Sequence, residues 1–515
     1  MNNQRKPGRS SLRRAGWLLS LAIAAALPGC ASYTGIGSAH RIQQPLPGQD
    51  ANSLPAEHGH WPARDWANQF GDPQLGELIA EALRNSPSLE QAKARVAAAA
   101  AYTETAHAAG GPQVNADASI SRQQYSGNAL VPPPYAGAWQ TENKAVLSAS
   151  YELDVWGKHG QAELAALSQL RISEAEQEQV RLTLSAAIAR SYNQLARLYA
   201  LRELAGDEIA QRQQMRRLSA YRLGSGLDTA VEQQTILHAL AASQTALTAL
   251  HGQILDARYQ LAALLGAGPD RGLLINRPAL GAGEVVALPD RLPADLLARR
   301  PDLVVARWRV DATTHDIKVA KAEFYPDINL GAAIGLDAFG FGRLLNAGSR
   351  TVQAGPAIHL PIFDGGALRA QLKGRYADFD YAVAGYNQTL VSALSDVATQ
   401  VARVRASDAQ LSDAQTASEA ARSAWLLTAS QYKAGLTTQI AVLQARIAAI
   451  ASEQVVTNLR MNRRDQQIAL AAALGGGFVD SSDAQHQAAA ADSPLQYGIG
   501  QARGAQRAEP TTPSN

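Results

Sequence analysis

The chain of 515 residues contains a single cysteine, Cys30, in the run "AALPGCASYTG". One thiol cannot close a disulfide within its own chain. Its chemistry is therefore that of a modified or an inert side chain. Other residues of catalytic type are sparse. His58 and His60 in "EHGHW" stand two apart, a spacing that suggests metal binding, but their Pro- and Ala-rich surroundings read as a linker. "IFDGGA" puts Asp364 on a loop, where an aspartate can be catalytic; the simpler reading is that Gly365 and Gly366 turn a strand into a helix. Gly340 and Gly342 form no dinucleotide fingerprint, and no G-x-S-x-G, H-E-x-x-H or phosphate-loop pattern occurs. The sequence points to no enzyme, no metal and no cofactor, which leaves Cys30 to explain.

Arg5, Lys6, Arg9, Arg13 and Arg14 precede "AGWLLSLAIAAALPG", an apolar run of roughly a dozen residues. That is the length of a signal-peptide core and too short for a spanning helix. Leu27-Pro28-Gly29-Cys30 resembles a bacterial lipobox, whose cysteine becomes lipidated and N-terminal. Pro28 departs from the pattern, which usually has a small residue there. The alternative is ordinary signal-peptidase cleavage nearby and an unmodified thiol. On the lipobox reading residues 1–29 are a signal peptide and Cys30 the lipidation site. A secreted, cysteine-poor chain suits the oxidising periplasm. Ala31, where an Asp would signal inner-membrane retention, favours the outer membrane.

Without residues 1–29, 42 Lys and Arg face 45 Asp and Glu, a net charge of −3. This gives no support to nucleic-acid binding. No later stretch is apolar for about 18 residues, so no spanning helix is expected. Membrane contact must come from a lipid or from β-strands.

The chain repeats itself. At a shift of 214 positions Pro87 meets Pro301, Leu89 meets Leu303, Arg95 meets Arg309 and Asn115 meets Asn329. "YRLGSGL" at Tyr221 parallels "YKAGLTT" at Tyr432, and "LAALLGAG" at Leu261 parallels "LAAALGGG" at Leu470. The order predicts a lipid-anchored linker over 30–69, one unit over 70–284, a second over 285–479 and a disordered tail over 480–515.

Each unit opens with an X-Pro helix start, at Pro87 and at Pro301. Two alternating stretches follow, predicting strands near 112–124 and 141–156, then near 326–338 and 351–363. Val114, Ala116, Ala118 and Ile120 share one face; Asn115, Asp117, Ser119 and Ser121 share the other. Strands of about ten residues with this alternation match outer-membrane barrels, although periodicity alone also fits a soluble sheet. Long helical segments come next. Leu184, Ile188, Tyr192, Leu195 and Tyr199 recur at helical spacing, and about 60 residues would extend about 90 Å. Such length suggests a coiled coil or helical tube; the alternative is a bundle broken by turns.

Two units give four strands. A bacterial barrel begins at about eight, and an open sheet in lipid would strand its edge N–H and C=O groups. Chains must assemble if these strands enter a membrane. Two chains make eight strands and three make twelve; the physics does not choose.

"YELDVWGK", "LARRPDLVVARWRV", "AKAEFYPDINL", "HLPIFDGGALRAQL" and "LAAALGGGF" resemble the outer-membrane efflux factors, the TolC/OprM-like family, in its lipoprotein branch. The resemblance covers about residues 60–480, and "FYPDINLGAAIGLD" is most similar to the components serving aromatic-acid (fusaric-acid-type) and drug exporters. It implies a mixed, mostly α fold with four transmembrane strands per chain. A homotrimer would form a 12-stranded barrel in the outer membrane and a 12-helix periplasmic tube. The implied function is passive export for an inner-membrane pump through a periplasmic membrane-fusion adaptor, with drugs or small amphiphilic or aromatic compounds as cargo. The implied adaptor-docking tips are Tyr221, Arg222, Gly224 and Gly226, and Tyr432, Lys433, Gly435 and Thr437. The family's aperture carries acidic residues after the second tip, where this chain has Ala441 and Gln444. Asp228 and Glu232 are then the charges expected at the aperture beside Gln444, with Arg446 as counter-ion; the alternatives are solvated charges, and closure by apolar packing around Leu436, Ile440 and Leu443. The other reading of the whole chain is a structural periplasmic coiled-coil lipoprotein with a soluble sheet and no channel.

Overall fold

A computed structural model describes residues 32–43, 53–54, 59–128, 131–281 and 292–480. Residues 1–29, Cys30, His58, the expected boundary between the units at 284–285 and the tail from 481 lie outside the described residues.

The elements run α1 (Pro73–Asn85), α2 (Pro87–Ala109), β1 (Gln113–Gln124), β2 (Trp139–Glu152), α3 (Lys158–Gly224) and α4 (Ala230–Leu264), then α5 (Pro301–Ala322), β3 (Asp327–Phe339), β4 (Arg350–His359), α6 (Ala367–Lys433) and α7 (Gln439–Ala473). Short helices at Pro269–Leu273 and Leu292–Arg299 flank the junction. The order strand pair, long helix, shorter helix occurs twice. Both long helices, α3 and α6, have 67 residues, about 100 Å each, and neither is interrupted by a turn. Both partners, α4 and α7, have 35.

The fourth strand stops at His359, short of the expected 363. Pro361 cannot donate to a ladder, and the chain then bends at Asp364. That carboxylate accepts the backbone N–H groups of Gly366 (2.9 Å) and Leu368 (2.6 Å), which opens α6. Asp154 does the same for α3 through His159 N (3.1 Å) and Gly160 N (2.8 Å). "IFDGGA" is therefore a helix start.

The sheet has the antiparallel order β1-β2-β3-β4. Its register puts Ala116 opposite Leu147, Leu147 opposite Ile334 and Ile334 opposite Val352. The next rung of the same face is Val114, Ala149, Ala332 and Ala354. The intervening rung is polar, with Asn115, Ser148, Ala333 and Gln353. Side chains alternate across a strand, so one face is apolar across all four strands. β1 and β4 are open edges.

Helix packing changes along the length. Towards the sheet α3 lies against α2 and α5, and α5 against α6; away from it α3 lies against α4 and α7, and α7 against α6. The long helices run through, and each shorter pair is stacked end to end. The joints demand glycine. Gly266 (φ 71°) follows α4, and a Cβ there would sit 2.5 Å from the Asn85 carbonyl at the start of α2. Gly475 (φ 89°) follows α7, and its Cβ would collide with the Arg299 carbonyl beside α5. These are the "LLGAG" and "LGGG" landmarks.

The core sits at these joints. One cluster holds Phe70, Leu75, Leu78, Ile188, Tyr192, Leu195, Leu261 and Leu265, and the second unit has its own around Leu303, Tyr386, Leu390, Val397, Leu470 and Leu474. The stripe Leu184, Ile188, Tyr192, Leu195, Tyr199 is buried throughout. The Tyr192 hydroxyl donates to Asp72 (2.7 Å), and burial together with that carboxylate raises its pKa. By length and composition α7 would suffice to cross a bilayer, contrary to expectation. It packs against α3 and α6 and buries Arg464.

Candidate functional site

Three regions could act on other molecules: the sheet, the far ends of the helices and the surface between them.

The apolar face of the sheet is uncovered. Val114, Ile120, Leu147, Ile334, Val352 and Ile358 are all exposed, Val352 by 75 %. A sheet in water would bury such side chains. Aromatic residues lie at both ends of the strands. Tyr125 and Tyr135 pack on Phe339 at 5.2 and 5.0 Å. At the helix end Trp156 stacks on Tyr325 at 4.7 Å and donates its indole N–H to Pro326 O (2.8 Å). Tyr125 and Phe339 belong to the polar face, where Tyr125 donates to Glu142 (2.7 Å). On the apolar face Trp139 and Tyr151 are exposed at the two ends of β2, as in the interfacial belts of outer-membrane barrels.

The two helical tips share one construction. Leu227 N donates to Arg222 O (2.8 Å) and Leu436 N to Gln431 O (2.9 Å), each six residues apart counting both ends. Gly226 (φ 72°) and Gly435 (φ 75°) hold the left-handed position between. This is the Schellman helix ending. Gly224 is helical and closes α3. Thr229 and Thr438 then cap α4 and α7 by accepting Glu232 N (3.2 Å) and Ala441 N (3.3 Å). The tips expose apolar groups. Tyr221 is 77 % and Leu436 78 % exposed, with Leu227, Val231 and Tyr432 also open. Lys433 is exposed, and Thr437 is half-buried in the second loop.

The expected aperture residues separate. Glu232 and Gln444 share a cleft of about 440 Å³ with Arg212, Ile440 and Ile447. Asp228 does not join it. Its carboxylate meets Ser219 Oγ (3.1 Å) and Arg222 Nε (3.5 Å), bracing the first tip. Arg446 points elsewhere on α7, to Glu453 (3.3 Å), Asp207 (3.6 Å) and the face of Trp425 (4.7 Å). At 100° per residue Arg446 lies about half a turn from Gln444. Glu232 and Arg446 are therefore not a pair within the chain. Leu443 is buried in helix packing, whereas Ile440 lines the cleft.

A polar node fixes α7 to α3 near the joints. Arg464, 3 % exposed, donates to Asn193 Oδ1 (3.0 Å) and to the carbonyls of Leu280 (3.3 Å) and Gly281. Asn193 donates to Asp465 (2.8 Å) and to Met461 O (2.9 Å). Burial raises the Asp465 pKa, and Asn193, Arg190 and Arg197 only partly offset it. No short-range sequence pattern announces this node, because its members are 271 positions apart.

The described chain begins beside the sheet. Tyr33 OH meets Tyr325 OH (3.0 Å), and its ring meets Phe324 edge-on at 5.4 Å. Arg369 donates to the Ser32 carbonyl. From there residues 32–43 follow α6, with Ser38 on Asp380 and Gln43 N on Asn387 (2.8 Å).

A sheet with an apolar outer face, continued by helices of about 100 Å, defines a class of protein: a channel of the outer membrane prolonged into the periplasm by a helical tube. The family model described as outer membrane efflux protein matches residues 78–267 and 292–476, and the chain belongs to that family. The fusaric acid resistance protein FusA of Burkholderia cepacia is 39% identical over 317 residues, 61% of this chain; the match spans 59% of that protein's length. The multidrug resistance outer membrane protein MdtP of Shigella flexneri is 31% identical over 461 residues, 88% of this chain and 94% of that one. Among solved structures the outer membrane protein VceC of Vibrio cholerae superposes with a TM-score of 0.73 at 35% identity, covering 81% of this chain and 100% of that one. The chain is an outer-membrane efflux channel, and the reading as a coiled-coil lipoprotein without a channel is not favoured.

Proposed function

We propose that three copies assemble into the working channel, anchored by lipid at Cys30 and fed by a periplasmic adaptor and an inner-membrane pump. The observation that carries this reading is the four-stranded sheet. Its apolar face is continuous across all four strands, while β1 and β4 carry unpaired backbone groups at its edges. Such edges are tolerated in lipid only when they pair, so β4 of one copy closes on β1 of the next. Three copies give twelve strands and bring twelve helices into a tube below them.

The tips Tyr221 to Gly226 and Tyr432 to Thr437 are the adaptor-docking sites, because their apolar side chains are open at the end of the molecule. Glu232 and Gln444 belong to the aperture with Ile440 and Ile447. The anchor at Cys30 is supported by Ser32, which lies at the base of the sheet beside Arg369. The cargo is drugs or small amphiphilic and aromatic compounds, the class suggested by the names of the relatives.

Crosslinking in isolated outer membranes tests the assembly: the ladder is expected to end at three chains, and an end at two would overturn it. Mass spectrometry of the N-terminal peptide tests the anchor. A mature terminus at any residue other than Cys30 refutes it.

A further inference from the structure

Below the joints the helices lie side by side in the order α4, α3, α7, α6. One cleft of about 500 Å³ is lined from all four, including Gln260 of α4, Arg190 and Gln194 of α3, Asp465 of α7, and Gln400 and Arg403 of α6. The two outermost helices can both line one cleft only if the row curves towards it. The cleft is therefore on the concave side, which faces the lumen when copies close into a tube. The aperture cleft with Glu232 and Gln444 lies on the same faces of α3 and α7, by the 100° helical period.

Its chemistry is cationic and unfinished. Arg190 and Arg403 are exposed and have no hydrogen-bond or ion-pair partner among the described residues, and they reach in from separate helices. The cleft's carboxylate, Asp465, is engaged by Asn193 (2.8 Å) and feels the charge of Arg190 without an ion pair between them. Gln400 is 9 % exposed; its amide nitrogen donates to Asp396 (3.3 Å), while its buried Oε1 accepts nothing among the described residues. Two guanidinium forks beside a buried, unused acceptor fit one kind of ligand: an anion that also carries a donor. The volume falls within the roughly 300–1,000 Å³ usual for small-molecule sites. Guanidinium is the group best matched to planar carboxylates.

We infer that this cleft is a binding station on the lumen wall for organic carboxylates bearing a hydroxyl or N–H donor. Arg190 and Arg403 hold the carboxylate and Gln400 Oε1 accepts the donor. The station rests on the channel reading above, and it is weak by design of its position: exposed, hydrated arginines hold an anion without retaining it.

The test is fluorine NMR of 5-fluorosalicylate with the detergent-solubilised full-length protein. The wild type is expected to broaden the ligand signal. R190Q/R403Q is expected to bind about tenfold more weakly, and R403Q alone to fall between. Both side chains are exposed, so the folded oligomer should survive either change. Equal broadening by wild type and double variant would overturn the inference, as would equal broadening of 4-fluorobenzylamine, which reverses the charge. Conductance of the same preparation in planar bilayers separates the two readings: a conducting protein that ignores 5-fluorosalicylate refutes the station alone, whereas a protein that never conducts refutes the channel.

Discussion

At the scale of single residues, the carboxylates do different work from what their sequence context suggests. Asp364 is a helix opener: backbone N–H groups of Leu368 and Gly366 hold its carboxyl below the usual range. A depressed pKa means that its contribution is present above the ordinary carboxylate range and is lost as pH falls through the folded value. Asp364→Ala should lower the thermal midpoint of the solubilised protein at pH 7 and leave less to lose in acid. Asp465 has the opposite sign. Burial raises its pKa, so its ionised form opposes folding at neutral pH, and that penalty is relieved as pH falls from the folded value towards about 4. Asp465→Asn keeps an acceptor for Asn193. We expect a midpoint at pH 8 that is unchanged or higher, with a flatter acid limb; a lower midpoint at pH 8 would show that the ionised form is the one the fold needs.

At the scale of elements, periodicity and punctuation made the fold legible. The strand faces follow from alternation, the long helices from an apolar stripe without Gly or Pro, and the repeats from landmark order. Packing partners were not legible. The direction of Arg446 depends on Trp425 and Asp207, which lie on other helices, and the single letter gives no hint of it. The consequence is a double-mutant cycle at the tips. Since Glu232 and Arg446 face opposite sides, their effects should add to within about 0.5 kcal/mol. Glu232→Ala is expected to raise single-channel conductance by altering the aperture. Arg446→Ala should loosen the hold of α7 on α3, with more uptake of a large antibiotic such as vancomycin. A double variant no worse than either single one would mean that the two residues meet across the copies. The joints can be tested similarly. Gly475→Ala adds a Cβ where the Arg299 carbonyl lies, at a φ that favours glycine, and should cost about 1–3 kcal/mol of stability. Alanine at Gly224, which is helical and has open space, should cost nothing.

At the scale of the whole molecule, the proposed lipid anchor and the sheet would attach the protein at one level. The sheet supplies an apolar belt, and the stretch from Ser32 to Gln43 is tied along α6 by Arg369, Asp380 and Asn387. Cys30→Ser is therefore expected to impair maturation while the protein that does reach the membrane still conducts. Complete loss of conductance from that fraction would show that the lipid is needed for more than anchoring.

The jointed helices carry a mechanical consequence. A tube whose staves alternate between solid and hinged has a lever built into every second stave. Below its hinge each short stave is 35 residues, about 50 Å. A tilt of about 10° at a glycine joint therefore displaces the far end by about 9 Å, and the tip turn carries the end of the adjoining long stave with it, while the barrel above stays unchanged. A mouth at the far end would then open by leverage, with little rearrangement beside the barrel.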